Sequence, residues 1–271
     1  MFFEIARAIK EVQPSYVLLE NVKGLFSHDG GRTFGTIIQT LDELGFFTEW
    51  GLFNSKYWGV PQNRERVYIL ATRKDKFKEP LLFDLVKQQT EVTTRLIDVL
   101  EDEVDEKYYL SEEKTKKLTL DHDLNGKLNF YNYNETDKVY SVNKVGPTLN
   151  TMQGGNSQPK IAVREATKQG YAIAEQGDSV NVTYPDSKTR RGRVGKQVAQ
   201  TLQAGEVNQG VVMNDIRIRK LIPLECWRLQ GFTDEQFYKA KESGVSNSQL
   251  YKQSGNSVTV NVVDAIVKEL K

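Results

Sequence analysis

Tyr16-Val17-Leu18-Leu19-Glu20-Asn21-Val22 is a short apolar run that ends on a carboxylate and an amide. Its first four residues do not alternate with polar ones, which is the mark of a parallel strand covered on both faces. Before it, Phe2, Ile5, Ala6, Ile9 and Val12 fall on one face of a helix that Pro14 and Ser15 break. After it, Gly30, Gly31 and Thr33 precede a second amphipathic helix carrying Phe34, Ile37, Ile38, Leu41 and Leu44, with Gly45 closing it. Residues 46–53 and 66–71 read as two further strands. This alternation predicts an α/β unit over residues 1–75, with residues 16–19 as its central strand.

Composition changes after that. Residues 76–215 are polar, with scattered short strand-like pieces rich in Asn, Gly and Thr, and read as a smaller, mostly β module. Residues 216–271 regain order: Pro223 opens a helix bearing Leu224, Trp227 and Leu229, and residues 258–270 form an amphipathic last helix expected to return to the first unit. The 37 Lys and Arg nearly cancel the 36 Asp and Glu, so any contact with nucleic acid must come from local clusters. A single cysteine excludes a disulfide framework and fits a reducing compartment. With no apolar run long enough for a membrane span and no signal-peptide pattern, a cytoplasmic location is expected. His28 and His122 have no metal-like companions, so no metal is expected. No Gly-x-Ser-x-Gly elbow supports a hydrolase.

Glu20 gains meaning from Gln62-Asn63-Arg64-Glu65-Arg66, which follows Gly59-Val60-Pro61 and runs into the apolar Val67-Tyr68-Ile69-Leu70. Strand alternation sends Arg64 and Arg66 to the same side. A carboxyl at the end of a covered strand is partly desolvated, and two guanidiniums beside it offer forked donors to a carbonyl or a phosphate. Glu-Asn-Val alone reads as a strand-terminal loop cap, and Arg-x-Arg alone as a solvated edge. Together they form a constellation suited to gripping one nucleobase outside its stack.

In this order, Glu20-Asn21-Val22, the Gln62–Arg66 stretch, residues 218–232 and Gln253-Ser254-Gly255-Asn256-Ser257-Val258 resemble the DNA (cytosine-5) methyltransferases. The resemblance implies the C-terminal half of a Rossmann-like S-adenosylmethionine-dependent methyltransferase domain plus a target-recognition domain, and a place in DNA methylation or restriction-modification. It implies Glu20 as partner of the cytosine N3 and amino edge, Arg66 near the base and its backbone, and Arg64 in support. It assigns Asn256, Ser257 and Val258 to the wall of the S-adenosylmethionine pocket, with the segment read as the start of the last helix, whose amides would suit the donor's carboxylate. Residues 218–232 match a scaffold segment, which makes Cys226 a packing residue. The family's Phe-x-Gly-x-Gly donor loop and Pro-Cys-Gln nucleophile loop do not occur in the 271 residues.

Duplex DNA is the expected partner, read by the polar middle. Lys188, Arg190, Arg191 and Arg193 form the concentrated basic cluster. Thr148-Leu149 and Thr201-Leu202 both match the short signature of the recognition domain, and the sequence does not choose between them. The missing loops imply a partner polypeptide carrying the nucleophile and the donor loop, with S-adenosylmethionine bound only when that segment is supplied; the chain alone is expected to be inactive and poorly soluble, with one strand edge open. The alternative is a non-catalytic DNA-binding remnant, and an RNA-directed relative is a weaker reading.

Overall fold

The sheet of the first unit is ordered by where its apolar side chains must go. The structure is a computed structural model that describes residues 2–111, 160–185, 187, 189–204, 208–213 and 217–270. Helix α1 (Phe2–Val12) leads to β1 (Tyr16–Val22), α2 (Arg32–Glu43), β2 (Phe46–Asn54), β3 (Gln62–Asn63), β4 (Glu65–Arg73) and α3 (Leu82–Lys87). Strand β4 lies between β1 and β2 and runs antiparallel to both. The two outer strands therefore point the same way, with α2 as their crossover. One face of the sheet presents Val17, Val67, Ile69 and Ala71 to Ile9 of α1 and to Ile37 and Leu41 of α2. The other presents Tyr68 and Leu70 to Leu82 and Leu85 of α3 and to Val262 and Ile266 of the final helix (Val260–Glu269). Helix α2 is closed just past its end by Gly45, whose backbone adopts φ of 92° and donates to the Asp42 carbonyl at 2.9 Å.

This is an α/β unit with helices on both faces, but its central strand is β4 rather than β1. Six residues of β4 in a row, Val67 to Thr72, are buried, whereas β1 buries only Val17 and is an edge strand among the described residues. The unbroken apolar run in β1 reflects cover on two faces; it carries no information about the direction of the neighbouring strand, which is antiparallel.

Contacts divide the chain into Met1–Gly59, Asn63–Thr93 and Val258–Lys271 on one side and Val60–Gln62 with Thr94–Ser257 on the other. The compositional breaks at residues 75 and 215 do not coincide with this division. Residues 76–93 stay with the first sheet because Phe77 stacks near Phe47 and α3 packs on β2. Most of the 216–271 segment lies in the second unit because its helices share a core with that unit's strands.

Among the described residues the second unit contains β5 (Lys160–Arg164) paired antiparallel with β6 (Tyr171–Glu175). A four-stranded antiparallel sheet has the order β11-β10-β7-β8, built from β7 (Ser179–Asn181), β8 (Val194–Gly195), β10 (Gln209–Val212) and β11 (Ile218–Lys220), with β9 at Ala199–Gln200. Helices α4 (Pro223–Arg228), α5 (Asp234–Glu242) and α6 (Asn247–Asn256) follow, and the final helix is α7. Leu96, Leu202, Val211, Leu221, Cys226 and Leu229 form one core here, and Leu224, Trp227, Phe237 and Leu250 another.

Arg219 and Glu225 form a fully buried ion pair with two contacts, of 2.9 and 2.7 Å, and Glu225 also accepts the backbone amides of Ile222 and Glu101. Removing one partner strands the other charge. Glu225→Gln is expected to cost roughly 3–5 kcal/mol in chemical denaturation, and combining Arg219→Met with Glu225→Leu to recover only part of that loss, because the Ile222 and Glu101 amides lose their acceptor. A single variant as stable as the parent would show that the pair is not needed.

Candidate active site

The β1–β4–β2 register brings the sequence's acidic and basic motifs together. Glu20 stands directly opposite Tyr68, and Arg66, two residues earlier on β4, stands opposite Val22 on one side and Phe53 on the other. Directly opposed residues share a face, so Glu20, Arg66 and Tyr68 project together. Arg66 Nε lies 3.0 Å from Glu20 Oε1, and Arg64 Nη2 lies 3.9 Å from the same oxygen. The side chain of Arg64 is only 3% exposed and that of Arg66 14%, while Glu20 keeps 23% of its side chain in solvent. The carboxyl is thus approachable while the cation behind it is not.

The contact between Glu20 and Arg66 is an ion pair whose atoms are off the line of a hydrogen bond. Among the described residues, the buried Glu20 Oε1 accepts no hydrogen bond and Arg66 Nε donates none. Arg66 Nη1 donates to its neighbour's carbonyl, that of Glu65, at 2.8 Å. Burial, then the repulsion of Arg66, holds the Arg64 guanidinium down to about 10, against the pull of Glu20 and Tyr68. Arg64 therefore stays charged at neutral pH.

Residues that the sequence did not single out fix this geometry. The Arg64 backbone donates to Asn54 Oδ1 at 3.2 Å and accepts from Ser55 N at 3.1 Å. Ser55 Oγ lies 2.7 Å from Thr259 Oγ1, and Thr259, buried, caps α7. The Thr259 backbone in turn hydrogen-bonds the Tyr68 hydroxyl, which burial and the Glu20 charge push above its usual range. Alternation from Arg66 could have found Tyr68 in the sequence. Nothing local links Ser55 to Thr259.

Three expectations need correction. Asn256 and Ser257 do not open the last helix: Asn256 is the final residue of α6, Ser257 its C-cap, and α7 begins after Thr259 with Val258 exposed ahead of it. A helix C-terminus offers carbonyl oxygens, which suit a cation and not a carboxylate. Gly255 sits there because a Cβ would lie 2.7 Å from the backbone of Gln203 and Ala204. Arg193 does not reach outward, since its guanidinium is buried and donates to the carbonyls of Asn181, Thr183 and Tyr184. Leu202 is a core residue packed with Cys226, which removes it from any surface, while Thr201 is half-buried. Of the remaining basic cluster, Arg190 is half-buried and bonded to Asn181 and Thr183, Arg191 is exposed with Nε on the Ala166 carbonyl, and Thr148, Leu149 and Lys188 lie outside the described residues.

Sheet, flanking helices and gathered site residues define an α/β methyltransferase fold. The Dnmt2 methyltransferase of S. pombe superposes with a TM-score of 0.57 at 18% identity, covering 99% of this chain and 71% of that one. The chain belongs to the C-5 cytosine-specific DNA methylase family, whose model matches residues 1–271. Orphan methyltransferase M.SPBetaI of Bacillus phage SPbeta is 38% identical over an alignment that takes in all of this chain and 69% of the relative. Type II methyltransferase M.SsoII of Shigella sonnei is 32% identical, with all of this chain and 56% of the relative aligned. Transfer of a methyl group from S-adenosylmethionine to C5 of cytosine in DNA is the family reaction. No helix among the described residues is long and apolar enough to cross a membrane.

Cys226, the one cysteine, is buried among Leu202, Leu221 and Leu229, and burial followed by the nearby Glu225 charge pushes its thiol well up. A thiol held protonated and covered is a poor nucleophile. Native protein at pH 8 is expected to resist alkylation by iodoacetamide, with stoichiometric labelling only after denaturation. Rapid labelling of the folded chain would place Cys226 among reactive thiols.

Proposed function

We propose that this chain supplies the base-gripping half of a cytosine-C5 methylation of duplex DNA, and that its chemistry requires a thiolate from a polypeptide segment outside these 271 residues. The carrying observation is the partly solvated Glu20 carboxyl, with one buried oxygen that accepts no hydrogen bond among the described residues, set against Arg66 and Arg64. A flipped cytosine presents an amino donor, a ring nitrogen and a carbonyl oxygen along one edge. Glu20 would accept the amino group and share a proton with N3, which makes C6 electrophilic, while Arg66 donates to the carbonyl oxygen or the adjoining phosphate. Arg64, deeper and cationic, holds the carboxyl in place. Tyr68 and the Ser55–Thr259 contact keep the sheet and α7 from relaxing around it.

The reaction also needs a nucleophile for C6. Cys226 is unsuited to that work, so an incoming segment would provide it. When bound, S-adenosylmethionine supplies the methyl group. Asn256 and the carbonyl end of α6 would hold the ammonium end of the donor's amino-acid portion, with Ser257 and Val258 beside it. Recognition of the DNA would fall to the second unit, whose exposed Arg191 lies on its surface.

Methyl transfer is tested by supplying tritiated S-adenosylmethionine and duplex DNA to the chain alone and to the chain co-expressed with a segment carrying Phe-x-Gly-x-Gly and Pro-Cys-Gln. Incorporation is expected only in the second case. Glu20→Ala should lower it by about a hundredfold or more, and Arg66→Ala should cost more than Arg191→Ala. Incorporation by the chain alone would defeat the shared-nucleophile reading. DNA binding without incorporation in either case would favour the non-catalytic remnant.

A further inference from the structure

The second unit invests a buried cation in one surface loop. Arg193 is 1% exposed, and its guanidinium donates to three successive points on that loop: the carbonyls of Asn181 at 3.4 Å, Thr183 at 3.3 Å and Tyr184 at 2.7 Å. Its own backbone amide donates to the side-chain carboxylate of Glu165, itself buried, at 2.6 Å. Burying a guanidinium is costly unless its donors are satisfied. Here Nη1 and Nη2 tie the end of β7, at Asn181, to the two irregular residues Thr183 and Tyr184 beyond it, while Nε makes no hydrogen bond among the described residues, so the pairing fixes where the loop leaves the sheet.

What the loop holds up is an aromatic ring. Tyr184 is 71% exposed, among the most exposed large apolar side chains of the described residues. Its backbone has φ of 47°, a left-handed conformation that a bulky residue rarely adopts. Its carbonyl accepts from Ser187 as well as from Arg193, which closes a turn. Arg190 lies 4.8 Å from the ring centroid, while its Nη1 donates to Thr183 Oγ1 at 2.8 Å and to Asn181 Oδ1 at 3.3 Å. One face of the ring thus has a fixed cation beside it. Strain retained at an exposed residue, with a buried charge supporting it, points to use rather than to packing.

Resting on the DNA-methylation reading, we infer that Tyr184 is a sequence-reading contact of the second unit, its side chain held rigid to meet a base edge in duplex DNA. A tyrosine has few torsions to freeze, and its phenol pairs an apolar ring with a donor and acceptor at the tip, as base edges demand. Arg190 neutralises phosphate charge beside it, and the clamp by Arg193 sets the reach. Phosphate contacts position a protein without reading sequence, and they need no such rigidity.

The test uses the full 271-residue chain and a pool of duplexes with a randomised central segment. Bound sequences are recovered at one fixed salt concentration from the parent and from Tyr184→Gly. Glycine suits the left-handed backbone, so the variant should melt no lower than the parent, which separates loss of reading from loss of folding. The parent is expected to enrich a motif. The variant should keep its affinity for random duplex and lose discrimination at one or more positions of the motif by about tenfold. Unchanged discrimination, or an equal loss of affinity for every sequence, would overturn the role of Tyr184 and leave the DNA reading standing. A parent chain that binds no duplex would overturn both.

Discussion

A single carboxyl shared between two guanidiniums governs the first unit. Glu20 would be an unremarkable edge-strand residue if β4 did not lie directly beside β1, because Arg64 and Arg66 arrive only through that register. The arrangement is unbalanced: two guanidiniums face one carboxyl, and one carboxyl oxygen has no hydrogen bond among the described residues. A pair optimised for stability would have aligned its donors and acceptors, as Arg219 and Glu225 do in the second unit. The contrast separates an ion pair whose carboxylate is hydrogen-bonded through both oxygens from one whose carboxylate is not.

The supports of that site come from distant parts of the chain. Ser55 follows β2, Thr259 opens α7, and Tyr68 lies within β4, yet hydrogen bonds connect them around the Arg64 backbone. The final helix is therefore more than a cover for Tyr68 and Leu70. Its cap is tied to the segment that carries Arg64, so the geometry of the cationic side depends on Thr259.

Much of this was legible in the sequence because helix and strand periodicities are local. Ile37 and Leu41 fall on the covered face of α2 as their spacing requires, and Glu20 meets Arg66 as the ordered motifs imply. Strand order was not legible, since an apolar run records burial and is silent about which strand lies alongside. The end of α6 was misread because a glycine near Asn and Ser suggests a new cap. Gly255 instead continues a helix that begins at Asn247, and its lack of a side chain answers to a backbone many residues away. Arg193 was misread for a related reason: a run of cations looks solvated, and residue type alone does not show that one of them turns inward to satisfy carbonyls. The exposure of Tyr184 followed from that inward turn and had no signal of its own.

The close passage of Gly255 against Gln203 and Ala204 bears on how such a module changes over time. Exposed loops are free to vary in length and chemistry, but this crossing tolerates no side chain at position 255 of α6, where a Cβ would meet backbone. A foreign segment grafted into the second unit would have to reproduce the backbone at that point, whatever else it brought. The crossing thus acts as a fixed socket, and the exchangeable part of the module is the part that does not pass through it.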